Sequence, residues 1–571
     1  MSSGQTSGRD GSDELDVEMK QMYHDTLKSG GHVDVQIGGD DQDREDMARM
    51  GRQGMIAHHI HQAIMQTLVQ RPPRKSSEQQ LLLSAIPCYP QHLRATESDL
   101  KRIFRQSSMV AFTAIVQATW QVFLVANTQG LLNGGLAGVF WSYVWTAIGM
   151  STVVASLAEM ASMAPTSGGQ YHWISEFSPP QYQQFLSYIG GWMSTLSWQA
   201  TAAGATFVDG IFILGLASAY HPDYVIQGWH GTLVVGAVTI LVGIVNGFFA
   251  DSLPQIQKFM AILFGVGWIP VVVVLIALAP HPPAGDVFTK FSSEGWSPMG
   301  LSVMVGQISA LYSLVYAAAH MSEEVRRAGL AVPRAMMWSY TANAVIGVVV
   351  VFAYLYSIPD VDAALSSPTG FPILYVLQSA TYWGTLPIAI MLIMIATAGC
   401  IGCNASASRE TFAFARDDGL PFKNWLAKVT PKSLIPLNSV LITCIITFLL
   451  SLINIGSTVA FNAIISLQLI ALMATYATSI ACVLFKRMKG EHNLLSAQWS
   501  LGRSGKAINT VALVYSIYLV FWIGWPPLQA VEASSFNWAT PMFGAIFLFS
   551  LVFYYTNGRK VYKGPVTLVQ A

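Results

Sequence analysis

Residues 299–325 read MGLSVMVGQISALYSLVYAAAHMSEEV. The stretch is long and apolar enough to cross a bilayer as a helix. Ser309, Tyr312, Ser313 and Tyr316 nevertheless interrupt its apolar face, and His320, Glu323 and Glu324 close it. Arg326 and Arg327 follow at once. Ionisable groups at the end of a spanning helix are costly in lipid, so they pair, face protein or lie at the headgroups. Two readings follow. One is an ordinary span ending at the interface. The other is a transport helix that meets a substrate at mid-membrane and a gate at its inner end.

The composition around this stretch is that of a membrane protein. Of 571 residues, 53% are hydrophobic and 11% charged, against about 25% charged in soluble domains. With 16 Trp and 47 Gly, this describes an all-α polytopic membrane protein. A formal net charge of zero offers no bulk attraction for nucleic acid. Cys88 lies in the N-terminal tail, and Cys400, Cys403, Cys444 and Cys482 lie inside apolar spans. No extracellular disulfide is expected, and the Cys400/Cys403 pair reads as small packing residues, not a redox or zinc motif.

Residues 1–104 form a polar tail, acidic over 1–50 and basic over 51–105. No signal peptide is expected, and the tail is expected to be cytosolic and largely disordered. His58, His59 and His61 there read as solvated residues. Twelve spans are expected at 107–127, 137–163, 185–216, 231–250, 258–280, 299–325, 338–358, 372–408, 434–453, 458–485, 508–524 and 538–556. The third and eighth exceed the bilayer's thickness and must tilt or project. A tail of 557–571 closes the chain. With the N-terminus inside, 30 of the 31 Lys and Arg fall on the inner side, Lys290 being the exception. That bias predicts an even number of spans and two cytosolic termini. Asn404, in the N-x-S pattern with Ser406, falls at the inner end of a span, where glycosylation is not expected.

Two polar connections stand out on the inner side. The first is SLAEMASMAPTSGGQYHW at 156–173. Pro165 and the Gly168-Gly169 pair stop its helix, and Glu159 sits in the last turns of span two. The second, SASRETFAFARDDGLP at 406–421, follows a run of small residues that lets helices approach closely. Arg409 and Arg416 are seven apart and share a helical face. They could pair with Glu323, Glu324 or Glu159, or simply form a snorkelling basic helix end.

These two runs, with HMSEEV at 320–325, Val332-Pro333-Arg334 and INIGSTVAFNAIISL at 453–467, resemble the fungal amino acid/choline permease family of the amino acid–polyamine–organocation superfamily. The resemblance covers about 100–570. It implies a 5+5 inverted-repeat core, spans one to five (105–283) and six to ten (298–485), plus two extra helices (508–556). It places the substrate near the midplane, where spans one and six lose helical hydrogen bonding. Span one would contribute Gln117, Thr119, Trp120 and Gln121, with Ala118 between them. Span three would contribute Trp198 and Gln199, and span six Tyr312, Ser313 and Tyr316, with Ser309 one turn away. Trp120, Trp198, Tyr312 and Tyr316 could wall an ammonium ion, or they could be ordinary packing residues. Glu159, His320, Glu323, Glu324, Arg409 and Arg416 are the expected cytosolic gate. No metal or organic cofactor is implied. Proton coupling is implied by the resemblance alone.

The chain departs from the family twice. Where relatives have Asn-Thr-Trp-Glu, it has Ala118-Thr119-Trp120-Gln121, and where they have Gly-Ala-Asp-Ala-Ala, it has Leu314-Val315-Tyr316-Ala317-Ala318. Two carboxylates that could face a substrate ammonium are gone, as is a glycine that eases a helix break. A bulkier or less highly charged nitrogen compound fits Gln and Tyr better. Asp209 remains as an acid in the outer half of span three, either a cation-attracting gate residue or one hydrated at the interface. Lys258 reads as an interfacial lysine.

The expected activity is secondary active transport, by alternating access, of an amino acid, choline or related small nitrogen compound. The alternatives are a carrier of a specialised nitrogenous metabolite, outward or into a vacuole, and a transporter-like nutrient sensor. No Walker-type phosphate loop, HExxH helix or legible ion filter points to a pump, an enzyme or a channel. The expected setting is the plasma membrane, with the bilayer and a small nitrogenous solute as partners.

Overall fold

The computed structural model describes residues 103–565, apart from 222, 316–318, 431–433, 457–459, 491–493, 533–535 and 563. The N-terminal tail and Tyr316 therefore lie outside the described residues. The described chain is helical throughout, with one isolated bridge between Phe104 and Val325.

Among the described residues, eleven helical stretches are long and apolar enough to cross a membrane. Span one is two helices, α1 (Gln106–Gln117) and α2 (Thr119–Val125). Then come α3 (Gly135–Met163), α4 (Gln183–Tyr220), α5 (Gly228–Phe248) and α6 (Leu253–Leu278). The expected sixth span is not one long helix. It is α7 (Met299–Gly306) and α8 (Ile308–Leu314), then a 3-10 turn over Ala319–Glu324. The chain continues with α9 (Ala328–Leu355), α10 (Pro372–Ala380), α11 (Tyr382–Arg416), α12 (Leu437–Ser451) and α13 (Ala460–Met488). It ends with α14 (Gly505–Ile523) and α15 (Ala539–Phe553).

Two boundaries differ from expectation for identifiable reasons. The expected span 372–408 is split at Thr381, whose extended backbone ends α10 and whose side chain caps α11 by accepting from Gly384 N–H. The seventh span begins ten residues before the expected 338. Pro333 lacks the N–H that would bond the Gly329 carbonyl four residues back. Ser162 Oγ donates to that carbonyl instead, at 2.7 Å, so the helix runs through the proline.

Burial sorts the helices. Span one, α4 and α13 are buried along most of their length, whereas α6 and α15 are buried along little of theirs. Ile240, Ile244, Phe259, Ile262, Val266, Leu548 and Val552 are exposed apolar side chains on spanning helices, as lipid contact requires. The 38 residues of α4 would extend roughly 57 Å at 1.5 Å per residue, so it outreaches the hydrocarbon core. It packs against α11 and α13; α11 in turn contacts both halves of span one and the 3-10 turn ending span six, and α13 contacts α8.

Candidate functional site

Span one breaks at a single residue. Ala118 has φ 37 and ψ 43, the left-handed conformation that costs a non-glycine residue roughly 1–2 kcal/mol. A break exposes backbone donors that lipid cannot satisfy. Here Asn343 of α9 accepts from Thr119 N–H at 3.0 Å and donates to the Ser339 carbonyl at 2.9 Å. Asn343 was not among the expected site residues. Its signal in the sequence is an uncapped amide in the middle of an apolar span.

Span six breaks although its glycine is missing. α8 ends at Leu314, and Val315 is extended. The two breaks meet, since Gln117 Nε2 donates to the Leu314 carbonyl at 3.5 Å. Ser309 Oγ accepts from Gly130 N–H at 3.0 Å, tying α8 to the turn after span one. Ser313 Oγ is spent on its own helix, donating to the Ala310 carbonyl. Tyr312 keeps part of its surface accessible and lies beside Cys400 and Cys403 of α11. Both cysteines are free and buried.

Around the span-one break, several buried polar atoms have no partner among the described residues. They are Gln117 Oε1, Thr119 Oγ1 and Gln121 Oε1, with Trp198 Nε1 on α4. Farther along α4, Asp209 is fully buried; its Oδ2 accepts from Thr397 Oγ1 at 2.7 Å and its Oδ1 is unpartnered. Hydration at the interface, one of its two expected settings, is not what it finds. Spacings of four, three and four residues put Trp198, Ala202, Ala205 and Asp209 on one stripe of α4, and Ala202 packs with Val116 and Ala407. Lys258 is exposed.

The three described aromatics of the expected wall have different settings, and Tyr316 lies outside the described residues. Trp120 turns to α6, stacking on Phe264 at 5.4 Å and donating to its carbonyl at 3.2 Å. Trp198 packs edge-on against His320 at 4.7 Å. Gln199 points the other way, donating to Thr411 and Thr443 hydroxyls at 2.8 and 3.0 Å. Consecutive residues on a helix diverge by 100°, and Gln199 Oε1 has no partner among the described residues. Trp198 also packs near Val116 of span one with its Nε1 unpartnered among the described residues, and Tyr312 keeps part of its surface accessible.

At the end rich in Lys and Arg, the ionic residues converge into a latch. Arg409 donates to Glu324 at 2.7 Å, and Arg416 grips both oxygens of Glu323 at 3.1 and 3.2 Å. The seven-residue spacing on α11 thus meets two adjacent carboxylates at the end of span six. Ser167 N–H also donates to Glu323 at 3.2 Å, and Tyr171 donates to Asp417 at 2.8 Å. Span one joins through the bridge at Phe104, whose N–H donates to the Glu324 carbonyl and whose carbonyl accepts from Arg326 N–H. Glu159 is not part of this latch. It pairs with Arg487 of α13 and accepts from Leu501 N–H at 2.9 Å, fastening α3 to the segment before α14. Glu410, unassigned in the sequence reading, lies inside the latch with Nδ1 of His320 2.8 Å from its Oε2.

Two broken apolar spans that meet at their breaks, with ion pairs clustered at one end of the bundle, match a carrier architecture. The sequence profile of the family described as amino acid permease matches residues 104–548, and the chain belongs to that family. It is 27% identical to the choline transporter of Saccharomyces cerevisiae over 81% of this chain and 83% of that one. It is also 27% identical to a Macrophomina phaseolina protein provisionally named an amino acid/polyamine transporter, over 76% and 97%. An amino-acid permease of Schizosaccharomyces pombe is 27% identical over 81% and 87%. The chain is thus a multi-pass membrane transporter, and these relatives are named as carriers, not enzymes.

Proposed function

We propose that this protein carries a small nitrogen-containing solute, of the amino acid or choline type, by alternating access. The observation that carries this reading is the meeting of the two helix breaks through Gln117 and Leu314, beside buried polar atoms with no protein partner. Such atoms are costly unless a ligand or water satisfies them. By the positive-inside bias the latch end is cytosolic, both termini lie inside, and the described conformation is closed to the cytosol. The latch is the inner gate. Its Arg–Glu pairs join span six to α11, so opening must break them. The plasma membrane is the expected site.

Asp209 supplies the carboxylate that spans one and six lack. It lies on the same stripe of α4 as Trp198, and its free Oδ1 can accept from an ammonium group. A substrate reaching from the breaks towards Asp209 must be longer than one held by a carboxylate at the break itself.

The test is radiolabelled uptake and efflux in transporter-deficient yeast with choline, γ-aminobutyrate, common amino acids and cyclic amines. Saturable flux of one of these, lowered by Asp209→Asn, is expected. Binding without flux in either direction would replace the carrier by a sensor. Glu323→Gln is expected to change maximal flux more than half-saturation; an unchanged flux at normal surface expression would remove Glu323 from the gate.

A further inference from the structure

We propose that His320 and Glu410 form a proton-binding site whose occupancy holds the inner gate closed. This rests on the reading of the latch as a gate that opens. Both side chains are fully buried. His320 is carried by the 3-10 turn that ends span six, and Glu410 by α11, so the pair straddles the latch. Gly169, with φ 48, lies flat against the imidazole; a Cβ there would stand 2.8 Å from His320 Cε1. Trp198 closes the other flank.

The charges around the pair do not balance without a proton. Glu323 and Glu324 take Arg416 and Arg409. Asp417 lies at the partly exposed edge, on Tyr171 and 3.8 Å from Arg416. The phenols of Tyr171 and Tyr562 face Glu410 from the helix Gly169–Phe177 and the C-terminal segment, but carry no positive charge. Among the described residues, the ion-pair partner of Glu410 is His320 alone. The His320 Nδ1 also lies 2.9 Å from the Ser167 carbonyl, and its direction favours that carbonyl. Among the described residues, neither Glu410 oxygen receives an aligned hydrogen bond, and His320 Nε2 has none.

A neutral imidazole beside an ionised Glu410 would leave one uncompensated buried charge, which proteins avoid. One added proton cures this, whether it rests on Nε2 as imidazolium or on the carboxyl group. Opening the gate parts the two groups and hydrates each, so the need disappears. The closed state therefore binds about one proton more than the open state. By linkage, acid favours closure and alkali favours opening, with a limiting slope of about tenfold per pH unit for one proton.

Ser406 lies one turn before Glu410 on the same face of α11, fully buried, with a hydroxyl that has no partner among the described residues. In full-length Ser406→Cys, N-ethylmaleimide labelling at that position is read by mass spectrometry. Each rate is divided by that of the denatured chain at the same pH, which removes the thiol's own titration. The corrected rate is expected to rise at least threefold per unit between pH 6.5 and 8.5, within the one-proton limit. Adding Glu410→Gln should make it low and flat. Adding His320→Gln instead should raise it at pH 7, since Glu410 loses the counter-charge that faces it. The double replacement should return it to low and flat, and serves if one single variant fails to fold. An unaltered slope in Glu410→Gln, or no slope in the parent, overturns the site. Flux is not needed for this readout. A flat profile in a chain that transports refutes the proton site alone, and a steep profile in one that does not refutes the transport reading alone.

Discussion

The Arg–Glu pairs of the latch and the residues around the helix breaks are both buried polar side chains, yet their polar atoms are satisfied oppositely. In the latch, Arg409, Arg416, Glu323 and Glu324 all find ionic partners. Around the breaks, Gln117, Thr119, Gln121 and Trp198 each keep an unpartnered atom. Burial makes a paired charge rigid and an unpaired polar group expensive. The first region is thus equipped to seal, and the second to receive something that completes its hydrogen bonds.

The sharpest way to break this contrast is Arg409→Ala. It leaves Glu324 buried without its partner, a loss of about 3–5 kcal/mol. Thermal unfolding of the purified protein should show it, and Arg409→Met with Glu324→Met should recover most of the loss. Equal stability of Arg409→Ala and the parent would mean the latch is wetter than its geometry. Next comes Asn343→Leu, which strands the Thr119 N–H at about 1–3 kcal/mol and should lower uptake by loosening the break; intact uptake would show that the break does not need its cap.

Asp209→Asn tests the receiving region. For whichever solute the uptake panel identifies, half-saturation should rise about tenfold, or about 1.4 kcal/mol, with the melting temperature held. Loss of stability without change in half-saturation would make Asp209 a packing residue. Gln199→Leu should do the reverse, costing about 1 kcal/mol of stability and leaving half-saturation unchanged, because its amide serves Thr411 and Thr443. The smallest effect is Ala118→Gly. It relieves the left-handed alanine but loosens the unfolded chain, for a net gain below about 1 kcal/mol, read as a slightly higher melting temperature.

Apolar length, basic bias and small-residue runs made the helical membrane class legible in the sequence, because lipid leaves a spanning backbone few choices. The spacing of Arg409 and Arg416 against Glu323 and Glu324 was legible too, since a helix fixes which residues share a face. Tertiary structure alone decided how the faces were used. It sent Trp120 to Phe264, Gln199 to Thr411, Glu159 to Arg487 and Asn343 to Thr119, and it set Glu410 against His320. Those pairings join residues far apart in the chain, and local periodicity says which face a side chain lies on, but not which neighbour packing will bring to it.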